Sequence, residues 1–242
     1  MISICTVLNG FSKDYYNYFL QSLKQNSKHE MEFIVVESPK QKFGLDFLGH
    51  AIGLFECQSK CSGEYIMFSD PDIYVFSDII SLYINLIKEY DLNYVGISHH
   101  SPEFQPYRTF PTVFNMLMRR QDLPPLDFMK EDYSEVGHPR KIKINGNWIL
   151  PGKTAGTENK FTNPNAKIWD TGNRLELFCN ENKKRWLSFG TKDDHLYTTD
   201  LIHNNFNAEI SLPHQKIVFH EGSSSFKPFA ESKIAKLQCI PI

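Results

Sequence analysis

The sequence predicts an α/β fold with a mostly parallel sheet flanked by helices, and three observations carry that expectation. Short β-branched runs alternate with helix-length stretches over the first hundred residues. The third such run, residues 65–68, ends in two aspartates, Asp70 and Asp72. Glycine and proline collect after Ser98, where regular elements give way to loops. Strands alternating with helices imply parallel pairing through right-handed crossovers, and open sheets of this kind take their ligands beyond the carboxyl ends of the strands.

Each element follows from its residues. Residues 2–8, ISICTVL, form a β-branched run closed by Asn9 and Gly10, and Ser12 then stands as N-cap to an aromatic-rich helix over 13–26. Residues 32–37, EFIVVE, supply a second buried strand that ends in Glu37. Residues 44–60 are long enough for a helix, with Leu45, Leu48, Ile52 and Phe55 spaced by three and four along one apolar face, and Gly63 closes the connection into YIMF at 65–68. Ser77 is placed to cap a helix over 78–90 whose Ile79, Ile80, Leu82, Ile84, Leu86 and Ile87 make it apolar nearly all round, hence deeply packed. A fourth strand, YVGIS at 94–98, runs into His99 and His100.

Beyond Ser98 the composition changes. Eight of the thirteen prolines lie between positions 102 and 164, with Gly137, Gly146, Gly152 and Gly156 among them, so short elements and long loops are expected there. Long loops in a compact domain carry function more often than decoration. Regularity returns after Asp170-Thr171-Gly172, with a helix expected over 173–184, another over 193–203, and a strand over 216–219 that ends in His220-Glu221-Gly222-Ser223-Ser224-Ser225. No internal repeat, low-complexity tract or linker marks a cut, so residues 1–242 are expected to form one domain.

Composition narrows the function. Over 242 residues, 41% hydrophobic and 14% aromatic content supports a sizeable core, and a net charge of −2 with scattered Lys and Arg gives no footprint for nucleic acid. The five cysteines, Cys5, Cys57, Cys61, Cys179 and Cys239, are odd in number and widely separated, which argues against a disulfide framework; Cys57 and Cys61 lack the second pair or nearby histidine of a zinc site. Residues 1–8 carry no basic leader pattern, and the longest apolar segment, 79–87, is half the length of a membrane span. A soluble, cytoplasmic protein is the expectation.

The chemistry gathers at Asp70-Pro71-Asp72. Pro71 fixes its own φ and biases Asp70 away from helix, so both acids sit in an extended turn at the strand's carboxyl end. Two hard oxygen donors two residues apart can approach one divalent cation, and Mg²⁺ or Mn²⁺ held this way completes its shell with water and substrate phosphates. An isolated Asp-Pro-Asp is otherwise an ordinary surface turn. Here apolar runs on both sides, YIMF before and IYVF after, draw it toward the core.

Taken together, the strand ISICTVL, the strand FIVVE with its terminal acid, the run from Leu48 through Cys61-Ser62-Gly63-Glu64 into YIMF, the Asp-Pro-Asp and the late His-Glu-Gly-Ser-Ser-Ser resemble the GT-A nucleotide-sugar glycosyltransferases, particularly the inverting family 2-like enzymes. The resemblance implies a Rossmann-like fold with a nucleotide-sugar-binding half over 1–100 and an acceptor-binding and C-terminal half over 101–242. It implies Asp70, Asp72 and His220 as metal ligands, with Asp72 the direct ligand and Asp70 a water-mediated ligand or a ribose contact, and Glu37 as a contact to uracil or ribose. An imidazole ligand favours Mn²⁺ over Mg²⁺. Ser223 and Ser224, small residues beside that histidine, let hydroxyls and backbone N–H groups approach phosphate. Asp170, projected by the Thr171-Gly172 turn beside Trp169, is the candidate base for the acceptor hydroxyl or else the cap of the following helix, with Glu158, Asp193 and Asp194 in reserve. His99 and His100 are placed to meet donor sugar or acceptor. The chain departs from the family in offering Glu37-Ser38 where paired acids are usual, and in lacking the Glu-Asp pair that commonly supplies the base. The expected activity is metal-dependent, inverting transfer of a sugar from a nucleotide-diphosphate donor, a UDP-sugar foremost, to a hydroxyl of a saccharide or glycan precursor. A sugar-nucleotide nucleotidyltransferase and a non-catalytic carbohydrate-binding module are the alternatives.

Overall fold

A computed structural model describes residues 1–8, 12–37, 46–98, 109–123, 142–144, 147–149, 173–193, 195–222 and 228–237. The first half follows the sequence closely, except that residues 31–37, expected as a buried strand, lie at the edge of the sheet with Val36 alone buried. Strand β1 (Ile2–Leu8) leads through helix α1 (Ser12–Asn26) to β2 (Met31–Glu37), then α2 (Asp46–Lys60) leads to β3 (Tyr65–Ser69). After a short strand β4 (Ile73–Val75) come α3 (Ile79–Tyr90) and β5 (Tyr94–Ser98). The cap of α3 is Asp78 rather than the expected Ser77: its carboxylate accepts from the Ser81 N–H at 3.1 Å and from the Ser81 hydroxyl at 2.7 Å, meeting one of the donors that a helix start leaves unpaired.

The second half departs further. Strand β6 (Pro111–Arg119) runs nine residues inside the stretch where short elements were expected; Pro111 sits at its first position, where a missing N–H costs no ladder bond. A small hairpin joins β7 (Ile142–Ile144) and β8 (Asn147–Ile149). Helix α4 (Asn173–Glu181) stops three residues short of the expected end. The helix expected over 193–203 is not formed. The described residues of that range, 193 and 195–203, belong to a hairpin of β9 (Trp186–Asp193) and β10 (Leu196–Asn204), because Tyr197, Thr198, Thr199 and Ile202 are aromatic or β-branched and Tyr197 and Thr199 are buried two apart, a strand's period. Strand β11 (Lys216–His220) and a short helix α5 (Lys233–Leu237) complete the described elements.

Nine strands form one sheet in the order β2-β1-β3-β6-β5-β9-β10-β11-β4. The α/β class is as expected, with one difference: β1 pairs in parallel with β2 and β3, and β5 with β9, while the other pairings are antiparallel. Antiparallel β6, inserted between β3 and β5, interrupts what would otherwise be a continuous parallel block.

Both faces of the central strands are covered. Ile4, Met67 and Leu117 pack with Phe19 and Leu23 of α1 and Ile80 and Tyr83 of α3; Cys5, Val7, Ile66, Phe68, Met116 and Met118 pack with Leu54 and Cys57 of α2 and Leu175 and Cys179 of α4. Alternate residues of one strand thus serve opposite cores, which is why these strands read as unbroken apolar runs. At Gly96 a side chain would collide with the Asn115 carbonyl and the Met116 backbone of β6, so the close approach of β5 and β6 requires glycine there.

The connection from β3 to β4 fixes the curvature of the sheet. Five strands separate these two in the sheet order, and six strand spacings amount to roughly 29 Å if the sheet is flat. Only Asp70, Pro71 and Asp72 join them in sequence, a reach of about 14 Å at full extension. The sheet therefore curls until its far edge returns beside β3, with Asp70-Pro71-Asp72 at the seam.

Candidate metal centre

The seam brings the carboxyl end of β3 against the carboxyl end of β11. The Asp70 N–H donates to the Phe114 carbonyl of β6 at 2.7 Å, and the Glu221 N–H donates to the Asp72 carbonyl at 3.0 Å, so the turn is held from both sides. Antiparallel pairing sets His220 opposite Ile73, which puts the histidine next to the acids despite about 150 residues of intervening chain. The His220 N–H donates to the His195 carbonyl at 3.1 Å, and its ring lies 5.2 Å from that of Phe114.

His220 Nε2 stands 3.6 Å from Asp70 Oδ2 and 3.4 Å from Asp72 Oδ1. One ligand atom from each of the three lies within 4.8 Å of the others, and among the described residues no other such group of three converges as closely. Side-chain exposure is 18% for Asp70, 3% for Asp72 and 4% for His220, so the acids form a nearly dry group with an opening at Asp70. His50 of α2 approaches the same carboxylate from the other side, its Nε2 3.3 Å from Asp70 Oδ1.

Charge in so dry a place must be paired. Burial pushes the Asp70 carboxyl upward, but His220 and His50 outweigh it and hold the group at about 2. Burial likewise pushes the His220 imidazole down, and Asp72 followed by Asp70 outweighs it and raises the group to about 10. Without a metal the centre is an imidazolium held between two carboxylates. A divalent cation can take the proton's place, since two carboxylate oxygens and one imidazole nitrogen suit Mn²⁺ or Mg²⁺ that keeps further positions for water or phosphate oxygens. The residues fit such an ion.

No protein-family model matches the sequence, and no curated protein matches it. Among solved structures, the chain is similar to residues 1–349 of S. aureus TarS in complex with UDP, at 16% identity over 54% of this chain and 48% of that one, TM-score 0.37. It is similar to a glycosyltransferase involved in the glycosylation of the major capsid of PBCV-1, at 14% identity over 56% of this chain and 67% of that one, TM-score 0.38. Glucosyl-3-phosphoglycerate synthase from Mycobacterium tuberculosis, in complex with Mn²⁺ and UDP-glucose, matches at 10% identity over 50% of this chain and 56% of that one, TM-score 0.35. The chain thus spans about half the length of TarS 1–349.

Of the residues singled out in the sequence, the structure gathers Asp70, Asp72 and His220 at one point. Glu37 ends β2 and pairs with Lys13 at 2.7 Å on the surface; β1 stands between β2 and β3, so Glu37 lies roughly 10 Å across the sheet from the carboxyl end of β3. Asp193 closes β9. Asp170, Trp169, Ser223, Ser224, Glu158, Asp194, His99 and His100 lie outside the described residues.

The structure also supplies residues that the sequence did not single out for the site. His50 lies within α2, off the apolar face that drew attention to that helix. His195 makes the β9–β10 turn with φ 66° and sets its ring 6.4 Å from that of His220. Glu221 is buried behind the centre, where its carboxylate accepts from the Lys233 and Ile234 N–H groups at 2.8 and 3.3 Å and ties α5 to the end of β11. Its position next to His220 was the one available signal. Beneath the turn, the Tyr83 hydroxyl donates to Asn115 Oδ1 at 2.8 Å, and the Asn115 amide donates to the Ser69 hydroxyl at 3.4 Å. No helix among the described residues is long and apolar enough to cross a membrane.

Proposed function

We propose that this protein is a metal-dependent glycosyltransferase that moves a sugar from a nucleotide-diphosphate donor, a UDP-sugar foremost, to a hydroxyl of a saccharide or glycan precursor with inversion. The single observation that carries the reading is the convergence of Asp70, Asp72 and His220 at the seam of a curled α/β sheet, on the side where such sheets take nucleotides. Asp72 and His220 would hold Mn²⁺ or Mg²⁺ directly, and Asp70 would hold it directly or through water while facing the ribose. The ion would supply Lewis-acid neutralisation of the charge that develops on the departing diphosphate.

The chain's own residues carry the remaining roles. Glu37, at the carboxyl end of β2, would receive the uracil or ribose, and Ser223 and Ser224 the diphosphate oxygens. Asp170 would accept the proton of the attacking hydroxyl on the face opposite the leaving group. The loop-rich stretch of the 101–242 half would form the acceptor surface, within one domain.

Calorimetric titration with a panel of nucleotide-sugars, with and without Mn²⁺, tests the reading. One UDP-sugar is expected to bind only in the presence of the ion, and Asp72→Ala to lose that binding. Donor binding that ignores Mn²⁺, or that survives unchanged in Asp72→Ala, would remove the metal assignment. A product with retained anomeric configuration would remove the role given to Asp170.

A further inference from the structure

A second cluster of reactive side chains lies apart from the acids, between β1 and the end of α2. Cys5, fully buried in the middle of β1, and Cys61, half-buried one residue past the end of α2, set their sulfurs 3.2 Å apart although 56 positions separate them in sequence. Cys57, one helical turn before Cys61, faces the same strand, with its thiol directed at the Thr6 and Ile34 carbonyls at 3.8 and 3.7 Å. The Cys61 thiol is directed at the Cys57 carbonyl at 3.3 Å. A thiol stacked on the apolar face of a strand would fit any small hydrophobe; two sulfurs this close, one of them on a half-buried residue, form a pair with chemistry of its own.

We propose that Cys5 and Cys61 are a reversible dithiol switch that hydrogen peroxide closes into an intramolecular disulfide. Cys61 is the attacking sulfur, because it is the less buried member, and the Arg120 guanidinium bonds to the neighbouring Ser62 carbonyl at 3.1 Å, beside it. The Cys5 thiol, with help from Ser3 and against burial, also holds Cys61 below the ordinary thiol range, while Cys57 and Cys61 hold Cys5 protonated. A pair with one readily ionised thiol and one protonated resolving thiol suits stepwise oxidation.

The steps balance. The Cys61 thiolate attacks one peroxide oxygen; an S–O bond forms, the O–O bond breaks, and the departing hydroxide takes a proton to leave as water. The Cys5 sulfur then attacks the sulfur of the resulting sulfenic acid; the S–S bond forms, the S–O bond breaks, and the Cys5 proton leaves with that hydroxide as a second water. Two thiols have lost two electrons and two hydrogens, and the hydrogen peroxide has been reduced. A thiol reductant reverses the bond. The disulfide would tie β1 to the chain leaving α2, next to the anchor in which Glu32 accepts from the Ser62 and Gly63 N–H groups at 2.7 and 3.0 Å.

The test exposes the reduced full-length chain to a small excess of hydrogen peroxide, blocks the remaining thiols with an alkylating agent, and maps the peptides without reduction. One cross-linked product joining the Cys5 and Cys61 peptides, two hydrogens lighter than their sum and opened by dithiothreitol, is expected in the parent and in Cys57→Ser, and is expected to be absent from Cys61→Ser. Recovery of Cys61 alkylated or as sulfinic acid, or a Cys5–Cys57 linkage instead, would overturn the proposal. Mapping the parent makes the result independent of whether a variant folds, and none of these outcomes depends on metal or sugar-nucleotide binding.

Discussion

His220 decides how the centre behaves with pH. Its imidazole gains two carboxylate partners on folding and, against the opposing effect of burial, rises from 6.5 to about 10. The stabilisation is therefore fully present below about 6.5 and is lost as pH climbs toward 10. Asp70 runs the other way: lowered from 3.8 to about 2 by His220 and His50 against burial, it stabilises above about 4 and loses that contribution as pH falls toward 2. The metal-free protein is expected to have a stability maximum between about pH 4 and 6.5, with a decline beginning above about pH 6.5 that His220→Asn reduces, as thermal melts across pH would record. The residue scale is also where the sequence was most informative and most incomplete. Asp70 and Asp72 announced themselves because a proline between two acids sits between apolar runs. His50 did not, since one imidazole in a helix has no pattern that tells a partner of Asp70 from a surface group until the fold places it 3.3 Å away.

At the scale of elements, local chemistry predicted what local chemistry determines. β1, β2, β3, β5 and β11 were legible because their β-branched and apolar runs are bounded by turn residues, α2 because its apolar residues are spaced by three and four, α1 from its cap and aromatic content, and α3 because it is apolar nearly all round. β10 reads as helix in sequence because LYTTDLIHN is polar enough to hide its alternation, and its strand identity comes from pairing with β9 and β11. β6 was hidden by the proline density around it. The cap of α3 offers an independent check. Asp78 holds both the Ser81 N–H and hydroxyl, so Asp78→Ala should cost about 1 kcal/mol in urea unfolding, whereas Ser77→Ala should cost less. A larger loss from Ser77→Ala would return the cap to the residue that sequence alone suggested.

At the scale of the whole molecule, the centre exists because a nine-stranded sheet curls until its β4 edge returns beside β3. A three-residue connection between strands with five others between them forces the curl, and the curl delivers His220 from the far part of the sequence to acids fixed early in it. No reading of periodicity could have shown this, since strand order in a mixed sheet is set by long-range pairing. Only the resemblance to GT-A enzymes linked His220 with Asp70 and Asp72 beforehand. The buried ionic group is a costly feature for a fold to keep without use, which makes ion binding the point on which the account turns. The most direct measurement is an EPR titration of the metal-free chain with Mn²⁺, read for stoichiometry and for coupling to an imidazole nitrogen. One ion per chain is predicted, bound more tightly as pH rises because His220 must give up its proton, with nitrogen coupling that disappears in His220→Ala. An absence of bound Mn²⁺, or binding of equal strength in Asp72→Ala, would contradict the account.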